Sequence, residues 1–230
     1  MEIRKEIIMN QSGQISESLK LGSILALSGG FMDAYTYVCR GHVFANAQTG
    51  NMLLFGVNLS EGNYQMALRY LFPVLAFTLG IVIANIVKYC FKYKENIHWR
   101  QITILAEAAI LLSVSFMPQS ANLIANSLVS FACGIQVESF RKINGTGIAT
   151  TMCIGNLRTA TKALCDYCYG KEKAEEKKCI MTYGIIIIFV IGAIFGNRCV
   201  ELYNEKAIIG SAILMLIGFF LMFIKEDKLE

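Results

Sequence analysis

The chain alternates long apolar stretches with short polar ones, most of them basic. Residues 179–197 (CIMTYGIIIIFVIGAIFGN), 207–224 (AIIGSAILMLIGFFLMFI) and 70–87 (YLFPVLAFTLGIVIANIV) contain no Asp, Glu, Lys or Arg. About 20 apolar residues at about 1.5 Å each cross the hydrocarbon of a bilayer. A core helix of a soluble domain would carry a polar stripe, and these carry none. The pattern predicts strongly apolar helices over 20–38, 66–91, 100–117, 120–140, 179–202 and 206–224. Two weaker segments, 43–59 (VFANAQTGNMLLFGVNL) and 147–164 (GIATTMCIGNLRTATKAL), are rich in Gly, Thr and Asn. The second also carries Arg158 and Lys162, each costing about 2.5–3.5 kcal/mol at the centre of a span.

Charge placement bears on how many segments cross. If only the six strong ones do, with the N-terminus inside, then Lys88, Lys92, Lys94 and Arg100 fall inside. So do the basic 141–178 loop and the C-terminal Lys225 and Lys228, leaving mainly Arg40, Arg69 and Lys206 outside. That is a strong positive-inside bias, and it largely disappears if all eight segments cross. The expected architecture is an all-α polytopic membrane bundle of six spans plus two partial or re-entrant segments. Eight full spans remain the alternative. Residues 1–19 read as a polar lead-in without the apolar core of a signal peptide. Residues 20–118 and 119–225 read as two membrane repeats, and 226–230 as a short charged tail.

The division into repeats rests on ordered matches. Gly29 to Leu59 lies over Gly134 to Leu164 at an offset of 105, pairing Asp33 with Glu138 and Gly50-Asn51 with Gly155-Asn156. Beyond the 171–178 loop the match resumes at an offset of 112, pairing Gly80 with Gly192 and Asn85 with Asn197. Three crossings per half would invert the second half, an architecture that places transport sites near the midplane between halves.

Ionisable residues inside spans are rare and usually functional. Asp33 in LALSGGFMDAYTYV and Glu138 in VSFACGIQVESF are therefore candidates for a solute, ion or proton pathway, against a plainer reading as structural ion pairs. Glu107 in ITILAEAAILLSV has no repeat partner and reads as structural or as lying near an interface. In the weak segments, Asn46, Gln48, Thr49, Gly50 and Asn51, and then Thr150, Thr151, Gly155, Asn156 and Arg158, gather polar groups at expected helix breaks. Half-helix N-termini can face an anion there and freed carbonyls a cation. The plainer reading is a polar seam between helices.

Composition narrows the rest. Hydrophobic residues make up 55% of the chain and charged residues only 17%, below the roughly 25% usual for soluble domains. A net charge of +4, spread between the apolar runs, forms no nucleic-acid footprint. Cys165 and Cys168 form a C-x-x-C, but no second pair or nearby His accompanies them. No nucleotide loop, dinucleotide fingerprint or hydrolase motif is present, so neither an enzyme nor a cofactor or metal is expected.

The run SGGFMDAYTYVCRGHVFANAQTGNMLLFGVNLSEG resembles the signature of the YoaK family of small bacterial multi-pass membrane proteins. The features carrying the resemblance are Gly29-Gly30, Asp33-Ala34, Val43-Phe44, Ala45 and Thr49-Gly50-Asn51; in the second half Ile154 stands in place of the threonine. The resemblance implies a location in the bacterial inner membrane and supplies no substrate. The expected partners are the lipid bilayer and a small solute or ion, with a homo-oligomer left open. The expected function is a small secondary transporter or channel, with a non-transporting scaffold as the alternative. Both termini are expected in the cytoplasm.

Overall fold

Ser18 opens the first helix, its hydroxyl accepting the Leu21 amide at 3.3 Å and so occupying one of the unpaired donors of a helix start. A computed structural model describes residues 17–91, 98–170 and 173–223. Most of the expected lead-in and all of the 226–230 tail lie outside the described residues. The six strongly apolar segments each carry a helix. These are α1 (Leu19–Cys39), α3 (Tyr64–Phe91), α4 (Trp99–Val114), α5 (Asn122–Ser139), α7 (Lys173–Tyr203) and α8 (Ile209–Leu221). A 3₁₀ turn, Gln119–Ala121, leads into α5, and another, Asn204–Ile208, joins α7 to α8. Among the described residues, three stretches are long and apolar enough to cross a membrane: Tyr64–Phe91, Gln119–Ser139 and the continuous Lys173–Leu221.

The two weak segments behave differently. Each is an irregular or extended stretch followed by a short helix, α2 (Gln48–Ser60, 13 residues) and α6 (Cys153–Cys168, 16 residues). At about 1.5 Å per residue they reach about 20 and 24 Å, the same as the apolar α8 and α4, so what sets them apart is their polar composition and the irregular backbone before each. Before α6 the chain makes a small antiparallel ladder, Lys142–Ile143 against Thr146–Gly147. Asn144 and Gly145 turn it with φ of 47° and 75°, the left-handed pair that a two-residue Asn-Gly hairpin requires.

Packing between the halves is reciprocal. α1 lies along α7, and α5 lies along α3; α2 packs on α3, and α6 on α7; α4 and α8 pack on each other, α4 also on α5 and α8 also on α1. At the first crossing a side chain at Gly30 would collide with the Phe189 carbonyl, and one at Gly192 with the Leu27 carbonyl. At the second, Gly134 meets the Phe77 carbonyl and Gly80 the Phe131 carbonyl in the same way. Small residues at both contacts bring backbones together, the usual device of packed membrane helices.

The bundle carries apolar side chains on its outer faces as well as in its core, with polar groups buried among them. Leu68, Phe72, Leu75, Leu79, Val82 and Ile86 line an exposed apolar face of α3, and Ile187, Val190, Ile191 and Ile194 one of α7. Inside, Thr36, Arg40, Asn46, Asn51, Glu107, Asn126, Ser130 and Gln136 are buried. The apolar core, including Leu25, Met32, Tyr35, Ile104, Leu111, Val129, Cys133 and Met215, fills the meeting place of α1, α4, α5 and α8.

Candidate functional site

Both broken segments arrive at one residue of α1. The Asn46 side-chain amide donates to the Gly29 carbonyl at 3.0 Å. From the second half, the Thr150 carbonyl and the Thr151 methyl stand 3.2 Å from where a Gly29 side chain would begin. One helical turn further along α1, the Asp33 carboxylate accepts the Asn46 backbone amide at 2.7 Å. The neighbouring Ala45 and Ala47 amides also turn toward it, and Cys153, the first residue of α6, lies within its electrostatic reach. Asp33 therefore sits by the starts of α2 and α6, whose free amides carry partial positive charge.

Two asparagines hold these segments in shape. Asn51 accepts the Phe44 amide at 3.0 Å and donates to the Phe44 carbonyl at 2.7 Å. Asn156 does the same to Ala149, at 3.1 and 2.5 Å. Each clamps the residue seven positions earlier, so the stretch before its helix is folded back against its first turn. Gln48 adds to the first clamp: it accepts from the Asn51 side chain at 2.9 Å and donates to the Ala45 carbonyl at 2.7 Å and to Ser130 at 3.4 Å.

The structure does not gather every residue the sequence singles out. Thr49, Gly155 and Arg158 are exposed, and Gly50 is half-buried beside the Phe44 ring. Thr151 is buried, with a hydroxyl that has no partner. Glu138 stands at the end of α5, paired with Arg141 at 3.5 Å, at the opposite end of the bundle from the Asp33 end of α1. Asn85 and Asn197 bond within their own helices, to the Ile81 carbonyl and to Glu201.

Three buried residues escape the sequence reading. Gln136 donates to the Leu25 carbonyl at 3.1 Å and to Thr150 at 3.0 Å, tying the second broken segment to α1 and α5. Its signal was an uncharged amide within an apolar helix, which hydropathy overlooks. Arg40, 1% exposed, donates to the Tyr35 hydroxyl, Asn122 and the carbonyls of Val114, Met117 and Pro118. Asn126 donates to the Arg40 carbonyl at 2.8 Å and leaves its own carbonyl without a partner. Arg40 and Asn126 line a cavity of about 360 Å³ with Val43, Arg69, Gln119 and Asn122. It opens at the ends of α1, α3 and α5, and Val43 lies only three residues before Asn46.

A helical bundle with apolar outer faces and buried hydrogen-bonded polar groups is an integral membrane protein. The chain belongs to the family described as protein of unknown function (DUF1275), whose model matches residues 21–221. It is 26% identical over 184 residues to the UPF0700 transmembrane protein YoaK of Bacillus subtilis (strain 168), an alignment spanning 75% of this chain and 79% of that protein. The resemblance carried by the Gly29–Asn51 motif is thereby borne out. No solved structure matches the chain significantly.

Proposed function

We propose that the protein is a small secondary transporter or channel of the bacterial inner membrane, with its solute or ion site at Asp33 between two inverted repeats. The observation that carries this reading is the meeting of two broken helical segments, one from each half, at Gly29 and beside the Asp33 carboxylate. Irregular backbone at membrane depth is tolerated where protein or water surrounds it, and such breaks are where transporters bind. The reciprocal packing of α1 on α7 and α5 on α3 supports the repeats, as do the matching Asn51 and Asn156 clamps. Six spans with α2 and α6 re-entrant accord with the irregular stretch that precedes each of those helices and with the positive-inside bias, and in this reading both termini lie in the cytoplasm.

In this account the cavity at Arg40, Val43 and Asn126 is the outer vestibule. The 43–47 stretch forms the wall between it and Asp33. A shift of that stretch against α1 exposes the carboxylate to one side; a shift of 148–152 exposes it to the other. The test is reconstitution into liposomes and flux measurement across a broad panel of ions and small solutes. Uptake that depends on a gradient and is lost in Asp33→Asn supports the reading; no flux of any solute ends it.

One observation favours a second reading, a non-transporting membrane scaffold. Asn51, Asn156 and Gln48 direct their side chains to the chain itself, and the cavity lies at helix ends rather than around Asp33. The two readings differ on water access. A cysteine at Thr151 reacts with a small water-soluble thiol reagent in a transporter and stays protected in a dry scaffold.

A further inference from the structure

Glu107 lies on the inward face of α4 between Ile104 and Leu111. It is 0% exposed, and neither carboxyl oxygen has a hydrogen-bond partner. That is not how a structural carboxylate in an apolar bundle is kept. The structural pairs here look different: Glu17 meets Arg100 at 3.1 Å, Glu138 meets Arg141 at 3.5 Å, and Glu201 meets Arg198 at 2.8 Å. An ionised carboxylate in hydrocarbon without a partner is strongly disfavoured, so the group must carry a proton or bind a cation.

Its surroundings decide between the two. A desolvated metal cation needs several oxygen ligands. Of the elements packed on α4, α8 carries no titratable side chain. α5 brings Cys133 and, at its end, Glu138; the 3₁₀ turn before α8 brings Glu205 and Lys206 at the far end of α4. α3 carries Arg69 and Tyr70 toward one end and Lys88 toward the other. Among the described residues no group of three or more His, Cys, Asp or Glu side chains could hold a metal. What α5 does bring near Glu107 is a thiol. Cys133 lies within electrostatic reach of both Glu107 and Asp33, touches Met32 sulfur at 3.7 Å, and faces the Asn46 side chain. The Asn46 side-chain carbonyl is itself buried and without a partner.

We propose that Glu107 is an intramembrane proton-binding site, neutral in the closed arrangement of this structure and linked to Asp33 through Cys133 and Asn46. The step is simple to balance. When the bundle opens and water enters, one O–H bond of the Glu107 carboxyl breaks, the proton passes to water, and a carboxylate remains; closure reverses it. No electrons move. The proposal deepens the transport reading by giving it a coupling proton, and assigns that role to Glu107 instead of Glu138.

Dicyclohexylcarbodiimide tests it, because this apolar reagent adds to protonated carboxyl groups within membranes and leaves a stable acylurea that peptide mass mapping locates. Folded full-length protein in detergent is expected to be modified at Glu107, at a rate that falls as the medium is made alkaline and that sodium or potassium chloride does not change. Glu138, held by Arg141, is expected to stay unmodified. Cys133→Ser is expected to shift the pH dependence of modification while leaving the protein monodisperse, and a merely structural cysteine would not do so. Absence of modification at Glu107 in folded protein overturns the proposal, provided the same site reacts after unfolding. Selective protection by one metal cation also overturns it, since it would mark a cation site. Labelling does not depend on flux, so a modified protein that transports nothing would end only the transport reading.

Discussion

The Asn46 backbone amide donates to the Asp33 carboxylate at 2.7 Å, which fixes the tip of the first broken segment to α1. A hydrogen bond to a charged group is worth about 1.5–3 kcal/mol. Asp33→Asn keeps the side chain's shape and a weaker acceptor. It is expected to lower the thermal midpoint in detergent without preventing folding. Asp33→Leu, which leaves the Asn46 amide buried and unpaired, is expected to lower it further.

The paired clamps make a symmetric prediction. Asn51→Ala and Asn156→Ala each remove two bonds to the backbone seven residues earlier and leave a partly buried amide and carbonyl without partners. Each is expected to destabilise by about 1–3 kcal/mol. Asn51→Ala is expected to be the worse, because it also releases Gln48. Thermal unfolding of the two single variants side by side checks the order.

The helix crossings are less tolerant. A methyl group at Gly30 or Gly134 would strike a backbone carbonyl, which cannot move aside as a flexible side chain can. Gly30→Ala and Gly134→Ala are expected to force the helices apart and sharply reduce the yield of folded protein. Gly56, in α2, has nothing within 4 Å of its missing side chain. Gly56→Ala is expected to be neutral or to stabilise by about 0.5–1 kcal/mol, as for a helix-interior glycine. Yield after size-exclusion chromatography separates the two classes.

His98 supplies a pH dependence. It caps α4 by accepting the Arg100 amide at 3.3 Å, which needs a neutral ring. Burial, followed by the Arg100 charge, lowers its pKa from 6.5 to about 4. Between those values the unfolded chain binds a proton that the folded chain does not, so stability falls as pH drops through that window and is level above it. A thermal midpoint that declines below about pH 6.5 in wild type, with a shallower decline in His98→Asn, is the expected result.

Much of this architecture can be read from the residues, and the reasons are physical. Hydrocarbon requires uninterrupted apolar runs, so the six helices announced themselves, and the two polar segments could be seen to break. The Asn51 and Asn156 clamps follow the same offset of 105 as the sequence match. The acids do not. At the helix crossings Gly134 takes the place of Gly30, not Gly29, so α1 and α5 are related by an offset of 104. One residue of slip turns a helix by about 100°. Glu138 is thereby not carried into the position Asp33 holds, and lies at the end of α5 beside Arg141. Spacing gives Glu107 no repeat partner, and its burial and its unpaired oxygens are three-dimensional facts that leave no trace there. Arg40 reads as a loop charge from spacing alone, yet it folds inward because a hydroxyl, a side-chain amide oxygen and three backbone carbonyls accept hydrogen bonds from its guanidinium.

In the proposed arrangement α2 and α6 enter from opposite sides and turn back, and native thiols test this directly. Cys90, at the end of α3, and Cys165 and Cys168, at the end of α6, are exposed. Variants retaining Cys90 alone, or Cys165 alone, can be treated in sealed vesicles of known orientation with a membrane-impermeant maleimide. Six spans with two re-entrant segments put both thiols on the cytoplasmic face, so both label from that side only. Labelling of Cys90 from the outside with Cys165 still inside would mean eight full crossings, and would contradict the account.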